Sequence, residues 1–281
     1  MAEDVRGAYG IGVRGGLADH IAFRQIDAPL AFVTFERCVG EPLEAVETVT
    51  ETLVRASLRE SGWLEVVPGS TEFQVRLFTA EPVGDDELVH PYLAPVAALV
   101  HRLRGGLALH ASSFAVDGSA ALLVAQPEGG KSTTAAAAAQ RGHEVITDDL
   151  AVIDGSRIVA GPRSMDLRDS ARALLRVDGD RVRQESRTRV IAGTGDGPSS
   201  WPVRGVVHLA FGDTAALRPA SHEEALLSLR QQLFWPTLGN SSRALLDAVT
   251  LPNFVLERPR GRAGLEEALD LLEGMLSSTS G

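Results

Sequence analysis

Apolar positions in the first part of the chain follow two different repeats. Residues 28–37 form an apolar-rich run that is typical of a strand. A second strand is predicted where apolar residues alternate with polar ones, at Phe73, Val75 and Leu77. Between these segments, apolar residues recur at helical spacing, at Leu43, Val46, Val49, Leu53 and Ala56. The pattern predicts a small α+β lobe, and an accessory packing role is favoured for it over substrate recognition.

The pattern changes after an acidic, turn-prone segment at residues 84–87. A helix is predicted at 92–103, and two apolar runs that flank Asp117 and Gly118 predict a β-hairpin. The second hairpin strand leads into a Gly-rich segment, and an Ala-rich helix then runs to Gly142. The order strand, loop, helix, strand is typical of a phosphate-binding α/β core.

The remainder of the chain continues the alternation of strands and helices. Strands are predicted at 145–147, 150–153, 203–211 and 254–257, and helices at 221–234 and 264–276. The whole pattern therefore predicts an α/β fold, with an accessory α+β lobe at residues 1–90 and a larger α/β domain at residues 91–281.

Composition and charge exclude several classes of protein. The chain has 281 residues, 44% of them apolar, and a formal net charge of −10, which argues against non-specific nucleic-acid binding. The apolar runs are shorter than the roughly 20 residues of a membrane span, and residues 1–30 lack a basic start followed by an apolar block. We therefore expect a cytoplasmic protein with neither a nucleic-acid nor a membrane partner.

The segment that begins at Ala125 reads AQPEGGKST and matches the second half of the phosphate-loop motif GxxxxGK[ST]. Glycines beside the lysine let backbone N–H groups converge on phosphates, and the hydroxyl that follows can bind Mg²⁺. Lys131 is also the only lysine among 27 basic residues. The alternative is a Gly-Gly turn that enters a helix. The predicted nucleotide-binding residues are Pro127, Glu128, Gly129, Gly130, Lys131, Ser132 and Thr133.

Two adjacent carboxylates, Asp148 and Asp149, follow the short strand after this helix. In a parallel sheet that position lies beside the phosphate loop, so one carboxylate can reach the metal and the other an acceptor hydroxyl. The alternative is a solvated Asp-Asp turn. His110 is predicted in a strand that pairs with the one feeding the loop, and it is either a site residue or a hydrogen-bonded core histidine.

These features resemble the HPr kinase/phosphorylase family and its shorter relatives in the PEP-carboxykinase-like group. The resemblance spans about residues 95–276 and is carried by four segments: Leu109-His110-Ala111-Ser112, Gly130-Lys131-Ser132-Thr133, Gln140-Arg141-Gly142-His143 and Ile146-Thr147-Asp148-Asp149. It implies ATP-dependent phosphorylation of a seryl hydroxyl with Mg²⁺. Asp148 corresponds to the family's catalytic Asp, and Asp149 is implied near the metal. From the loop motif itself we expect Ser132 beside the metal and Lys131 as a catalytic residue that holds phosphates, and His110 is a further candidate catalytic residue. The family also makes a homo-oligomer an expectation.

The resemblance leaves the acceptor open. The Gly-rich stretch with which HPr kinases dock HPr has no counterpart between residues 155 and 200, so the expected acceptor is a hydroxyl of another peptide, such as a ribosomal peptide precursor, or of a small molecule. Arg163 and Arg168 are candidates to stabilise transition-state charge. Two other functions stay open: a catalytically weak nucleotide-binding partner in a biosynthetic complex, and an ATPase that uses water as the nucleophile.

Overall fold

The computed structural model describes residues 5–50, 52–58, 62–181, 187–191, 197–236 and 242–278. These residues form a mixed α/β fold with three β-sheets. None of the described helices is both long enough and apolar enough to cross a membrane.

The first sheet contains eight strands from the N-terminal part of the chain. They are β1 (Arg6–Ala8), β2 (Ile11–Val13), β3 (Arg24–Gln25), β4 (Ala31–Val39), β5 (Thr48–Val49), β6 (Val54–Ser57), β7 (Trp63–Val67) and β8 (Glu72–Thr79). Their order is β3-β1-β2-β4-β8-β7-β6-β5, and β4 runs parallel to both β2 and β8. The predicted strands at 28–37 and around Val75 correspond to β4 and β8.

The helix predicted between Leu43 and Ala56 is wrong, because this segment carries β5 and β6. Leu43, Val46 and Val49 are exposed, so no buried helical face exists for them to form. The stretch VETVT at 46–50 is rich in β-branched residues, which favour extended backbone. Up to residue 84, the described part of the expected α+β lobe is therefore built of strands, apart from a short 3₁₀ turn at Gly16–Asp19.

A helical segment connects this lobe to the rest of the fold. It consists of α1 (Asp85–Glu87), a π-helical turn at Leu88–Tyr92 and α2 (Leu93–Leu103), so the helix predicted at 92–103 is confirmed. Val96 and Leu99 of α2 are fully buried and belong to the same apolar cluster as Val33 and Val75 of the first sheet. The lobe and α2 thus share one core, and the division at residue 90 stays a prediction.

The second sheet is the central one. Its nine strands are β9 (Leu107–Leu109), β10 (Ser112–Val116), β11 (Ser119–Val124), β12 (Glu144–Thr147), β13 (Ala151–Asp154), β14 (Arg157–Val159), β18 (Ser200–Phe211), β19 (Ala216–Pro219) and β20 (Asn253–Arg258). The main order is β12-β10-β11-β18-β14-β13-β9, and β20 pairs with β18 and β19. Strands β11, β18 and β20 are parallel, whereas β10 is antiparallel to both β11 and β12.

The sheet is therefore mixed: β12, which carries the aspartates at its end, is antiparallel to its neighbour β10, whereas β11 is parallel to β18. The hairpin around Asp117 and Gly118 is confirmed as β10 and β11. The apolar run before it is divided, because β9 pairs with β13 instead of continuing into β10. His110 consequently lies in the link between β9 and β10, and not in a strand as predicted.

Helices cover both faces of the central sheet. Their bounds are α3 (Lys131–Gln140), α4 (Asp169–Leu175), α5 (His222–Gln231), α6 (Ser242–Thr250) and α7 (Arg262–Ser277). Helices α3 and α7 bury Ala135 and Leu269 in one apolar cluster, whereas α5 and α6 bury Leu229 and Val249 in another. A third sheet contains β15 (Ser164–Arg168), β16 (Asp180–Arg181) and β17 (Arg187–Ile191) in the order β15-β17-β16.

Candidate active site

The segment from Ala125 to Gly130 forms a tight loop between β11 and α3. A Cβ atom at Gly129 would lie only 2.5 Å from the Cβ of Ala125, so the two ends of the loop approach each other closely. Gly130 has a φ of 90° and caps the N-terminus of α3, and a Cβ there would lie 2.6 Å from the guanidinium of Arg258. Ala125 thus fits where the motif has its first glycine, because Gly129 has no side chain.

Lys131 is buried, with a relative exposure of 7%. Its side chain folds back over the loop. The ammonium donates to the carbonyl oxygen of Ala125 at 2.9 Å. Burial lowers the pKa of Lys131 below its ordinary value, although Asp148 and Asp149 act in the opposite direction. An ammonium in such a dry position interacts strongly with an anion that displaces the carbonyl contact.

Asp148 lies at the end of β12 and is buried, with a relative exposure of 3%. Its Oδ1 atom accepts hydrogen bonds from the hydroxyls of Ser132 (2.9 Å) and Ser112 (2.5 Å). Burial and the neighbouring Asp149 carboxylate raise the pKa of Asp148 to about 6, against the lowering effect of the two serines and His90. Its other oxygen, Oδ2, is buried without a hydrogen-bond partner.

These features fit a divalent cation. A buried carboxylate oxygen without a partner is costly, and the hydroxyl of Ser132 lies against the same carboxylate. No group of three or more His, Cys, Asp and Glu side chains in the described ranges could hold a metal by itself. Mg²⁺ at nucleotide sites usually takes only one or two protein ligands and completes its shell with water and phosphates, so Ser132 and Asp148 would suffice.

Asp149 belongs to a different network. Its backbone is in the left-handed region with a φ of 65°, so the chain turns between the two aspartates and their side chains diverge. Its Oδ2 lies 2.9 Å from His90 Nε2, which also approaches Asp166 Oδ2 at 3.3 Å. Burial lowers the pKa of His90, but Asp149 and Asp166 outweigh this effect and the pKa is raised. The guanidinium of Arg189 donates two hydrogen bonds, of 2.9 and 3.0 Å, to the carboxylate of Asp166.

His110 lies beside this network. Its Nδ1 contacts the backbone oxygen of Asp149 at 3.0 Å, and its ring packs against Phe234. The contact joins the β9–β10 link to the turn that follows β12. His110 therefore helps to hold the Asp149 turn, and it also lines both cavities described below.

Three arginines surround the loop. Arg168 contacts Glu128 at 3.1 Å, and both side chains are exposed. Arg258 is buried beside Gly130, its Nε has no hydrogen-bond partner, and burial lowers its pKa. Arg260 stacks over the ring of Phe211 at 3.9 Å. Arg163, the other predicted arginine, is buried and donates to the carbonyl of Phe23.

Two cavities meet at the aspartate turn. The first, the loop cavity, has a volume of about 340 Å³, and its walls include Gly129, Lys131, Ser132, Arg168 and Arg260. The second, the apolar cavity, has a volume of about 610 Å³ and lies next to it. The two cavities share the residues His110, Pro127 and Asp149.

The structure thus brings the predicted phosphate loop, both aspartates and His110 into one site. All seven predicted loop residues line the loop cavity. Sequence reasoning missed Arg258 and Arg260, although their position at and just after the end of a strand could have indicated them. It also missed His90, Asp166 and Arg189, for which the sequence offers no signal because they are distant from one another and from the loop.

Comparisons with known proteins add little to this geometry. No protein-family model matches the chain, and no curated protein matches its sequence. Among solved structures, the chain is similar to the Hpr(Ser) kinase/phosphatase from Coxiella burnetii. The two share 12% identity with a TM-score of 0.30, over 60% of this chain and 93% of that one. At this level of similarity, neither fold family nor activity transfers from one protein to the other.

Proposed function

We propose that the protein is an ATP-dependent kinase that transfers the γ-phosphoryl group of ATP to a hydroxyl of a peptide or small molecule. The observation that carries this proposal is the position of Asp149, which lines both the loop cavity and the apolar cavity. A carboxylate at such a junction can contact a phosphoryl group on one side and its acceptor on the other.

The loop residues would hold the triphosphate. The N-terminus of α3, which Gly130 caps, favours an anion there, and Lys131 adds a buried positive charge. Arg168 and Arg260 line the same cavity and would bind the outer phosphate oxygens. Phosphoryl transfer depends mainly on such positioning and charge compensation.

We propose roles for the two aspartates that are the reverse of those implied by the family resemblance. Asp148 contacts Ser132 and has an unpartnered buried oxygen, which favours a place beside Mg²⁺. When bound, Mg²⁺ would neutralise charge on the phosphate oxygens. Asp149 has a side chain that is 22% exposed and is oriented by His90, which favours contact with the acceptor.

The proposed transfer is a single displacement. The acceptor oxygen bonds to the γ-phosphorus, and the bond from this phosphorus to the β–γ bridging oxygen breaks with its electron pair on ADP. The hydroxyl proton passes to the carboxylate of Asp149. His90 keeps that carboxylate in place, and Arg189 keeps Asp166 against His90.

The test is transfer of label from γ-labelled ATP with Mg²⁺ to a panel of peptide and small-molecule hydroxyl acceptors. We expect label on an acceptor with the wild type, and a fall of roughly 10²-fold or more in Lys131→Ala and Asp149→Asn. Asn tolerates the left-handed backbone of position 149, so this variant removes the charge with little strain. Asp154→Asn, at the exposed end of β13, is the matched control.

The proposed exchange of roles between Asp148 and Asp149 is tested by the dependence of phosphoryl transfer on Mg²⁺. Asp148→Asn is expected to raise the Mg²⁺ concentration needed for half-maximal transfer, whereas Asp149→Asn lowers the maximal rate at unchanged Mg²⁺ dependence. Tight ATP binding without label on any acceptor, in wild type and Asp149→Asn alike, would indicate the nucleotide-binding partner instead. Steady ATP hydrolysis that no acceptor changes would indicate an ATPase.

A further inference from the structure

The apolar cavity has walls from four parts of the fold. Beyond the three residues shared with the loop cavity, they come from the end of β6 and the residue after it, the π-helical turn with the start of α2, Gln126 in the loop, and the end of α5 with the residues after it. Its volume of about 610 Å³ lies in the range of roughly 300–1,000 Å³ that is usual for small-molecule sites. The size therefore fits one small molecule beside the phosphoryl group.

The walls of this cavity are mainly apolar. Leu58, Phe234 and Trp235 are only partly buried, so each presents apolar surface to the cavity. The indole N–H of Trp235 already donates to the carbonyl of Pro95 at 2.9 Å, which leaves the ring for apolar contact. The side-chain amides of Gln126 and Gln231 are hydrogen-bonded to each other at the wall. The cavity thus favours a ligand with an aromatic or branched aliphatic body.

The two cavities differ in the charge of their lining residues. The loop cavity contains the cationic side chains of Lys131, Arg168 and Arg260. Among the described residues that line the apolar cavity there is no lysine or arginine, and Asp149, at the junction, is the one acidic residue. A carboxylate or phosphate on the body of the ligand would lose its hydration there without gaining a lysine or arginine partner from these residues. The apolar cavity therefore selects against anionic ligands.

We propose that the apolar cavity binds the phosphoryl acceptor, and that this acceptor is an uncharged small molecule whose hydroxyl is carried on an aromatic or branched aliphatic body. The inference rests on the proposed function for the role of the hydroxyl, which would lie at Asp149. It goes beyond that function because it excludes acidic acceptors and assigns their discrimination to the walls around Leu58 and Trp235.

Two compounds that differ in one charge provide the test. The probes are 2-(naphthalen-2-yl)ethanol and 6-(2-hydroxyethyl)-2-naphthoate, which carries a carboxylate at the far end of the same body. Binding to the full chain is measured by calorimetry without ATP, so that it does not depend on phosphoryl transfer. We expect the alcohol to bind at least tenfold more tightly than the carboxylate.

Substitutions at Leu58 test whether the probes bind in the apolar cavity. This side chain is partly buried and lies directly after β6, so a charged residue can reach solvent and the fold is expected to tolerate it. Leu58→Asp is expected to weaken binding of the alcohol at least fivefold, and Leu58→Arg to improve binding of the carboxylate by a similar factor. Leu227→Asp, at an exposed position of α5, is the matched control and should change neither.

The outcomes separate this inference from the proposed function. Binding of neither probe, equal binding of both, or binding that Leu58→Asp leaves unchanged would overturn the inference. A serine peptide that is phosphorylated with the same KM in wild type and Leu58→Asp would also overturn it, because that acceptor would then bind elsewhere. Selective binding of the alcohol, with no label transfer to it or to any other acceptor of the panel, would support the cavity and contradict the kinase.

Discussion

Replacement of Asp148 by Asn should make the free energy of unfolding of the metal-free protein depend differently on pH. In the folded protein the pKa of Asp148 rises from 3.8 to about 6, because burial and Asp149 disfavour its charged form. A raised carboxyl pKa gives stability that is complete below pH about 4 and is lost as the pH rises through about 6. Asn stays neutral at every pH, so the variant does not show this loss.

The expected magnitude follows from the size of the rise. At about 1.4 kcal/mol for each pH unit, the rise to about 6 corresponds to about 3 kcal/mol between pH 4 and pH 8. The Asn side chain places an amide where Oδ2 has no partner, at a cost of about 1–3 kcal/mol. This cost is the same at both pH values, so it cancels from the change with pH.

The assay is urea unfolding followed by circular dichroism, in EDTA, at several pH values between 4 and 8. The difference in unfolding free energy, variant minus wild type, should become more favourable to the variant by about 3 kcal/mol over this range. A difference that stays constant with pH would refute the reasoning. A change of the same size in Asp154→Asn, which removes one exposed acidic charge, would mean that net charge and not the burial of Asp148 causes the effect.

Two further predictions concern the loop. Glu128→Gln should tighten ATP binding about two- to fivefold at low salt, because it removes a negative charge beside the phosphates and frees Arg168. The affinity is measured by calorimetry at two ionic strengths, and a gain in affinity that added salt does not reduce would contradict the prediction. Gly130→Ala should abolish ATP binding and lower stability by about 1 kcal/mol or more, because its φ of 90° disfavours a side chain and the Cβ would meet Arg258. Gly142→Ala, also at a φ of 90° but in open space, is the control: it should lose stability but keep ATP binding.

The elements with strong local signals were predictable. Helices α2, α3 and α7 and the hairpin of β10 and β11 carry their own periodicity, turn residues or terminating glycine, and they occur where the sequence predicts them. The segment at 43–56 was not predictable in this way. Apolar spacing there agrees by chance with a helix, whereas pairing of β6 with β7 fixes the backbone as a strand.

The candidate site shows the same division. The loop residues from Pro127 to Thr133 are adjacent in sequence, and their chemistry can be read from the motif. Their distance from Asp148 and Asp149 is set by β10, which lies between β11 and β12 and aligns the ends of those two strands. Arg258 reaches Gly130 because β11, β18 and β20 are parallel neighbours, so their carboxyl ends lie at one edge of the sheet.

The sequence by itself determined the α/β class, the glycine-rich loop with its lysine and the two adjacent aspartates, because these depend on residues that are near one another in the chain. Only the tertiary structure decided that Asp148 faces Ser132, that Asp149 faces His90, and that an apolar cavity adjoins the loop. These facts depend on contacts between residues that are far apart in the chain, and on a left-handed turn at Asp149 that local propensity does not predict.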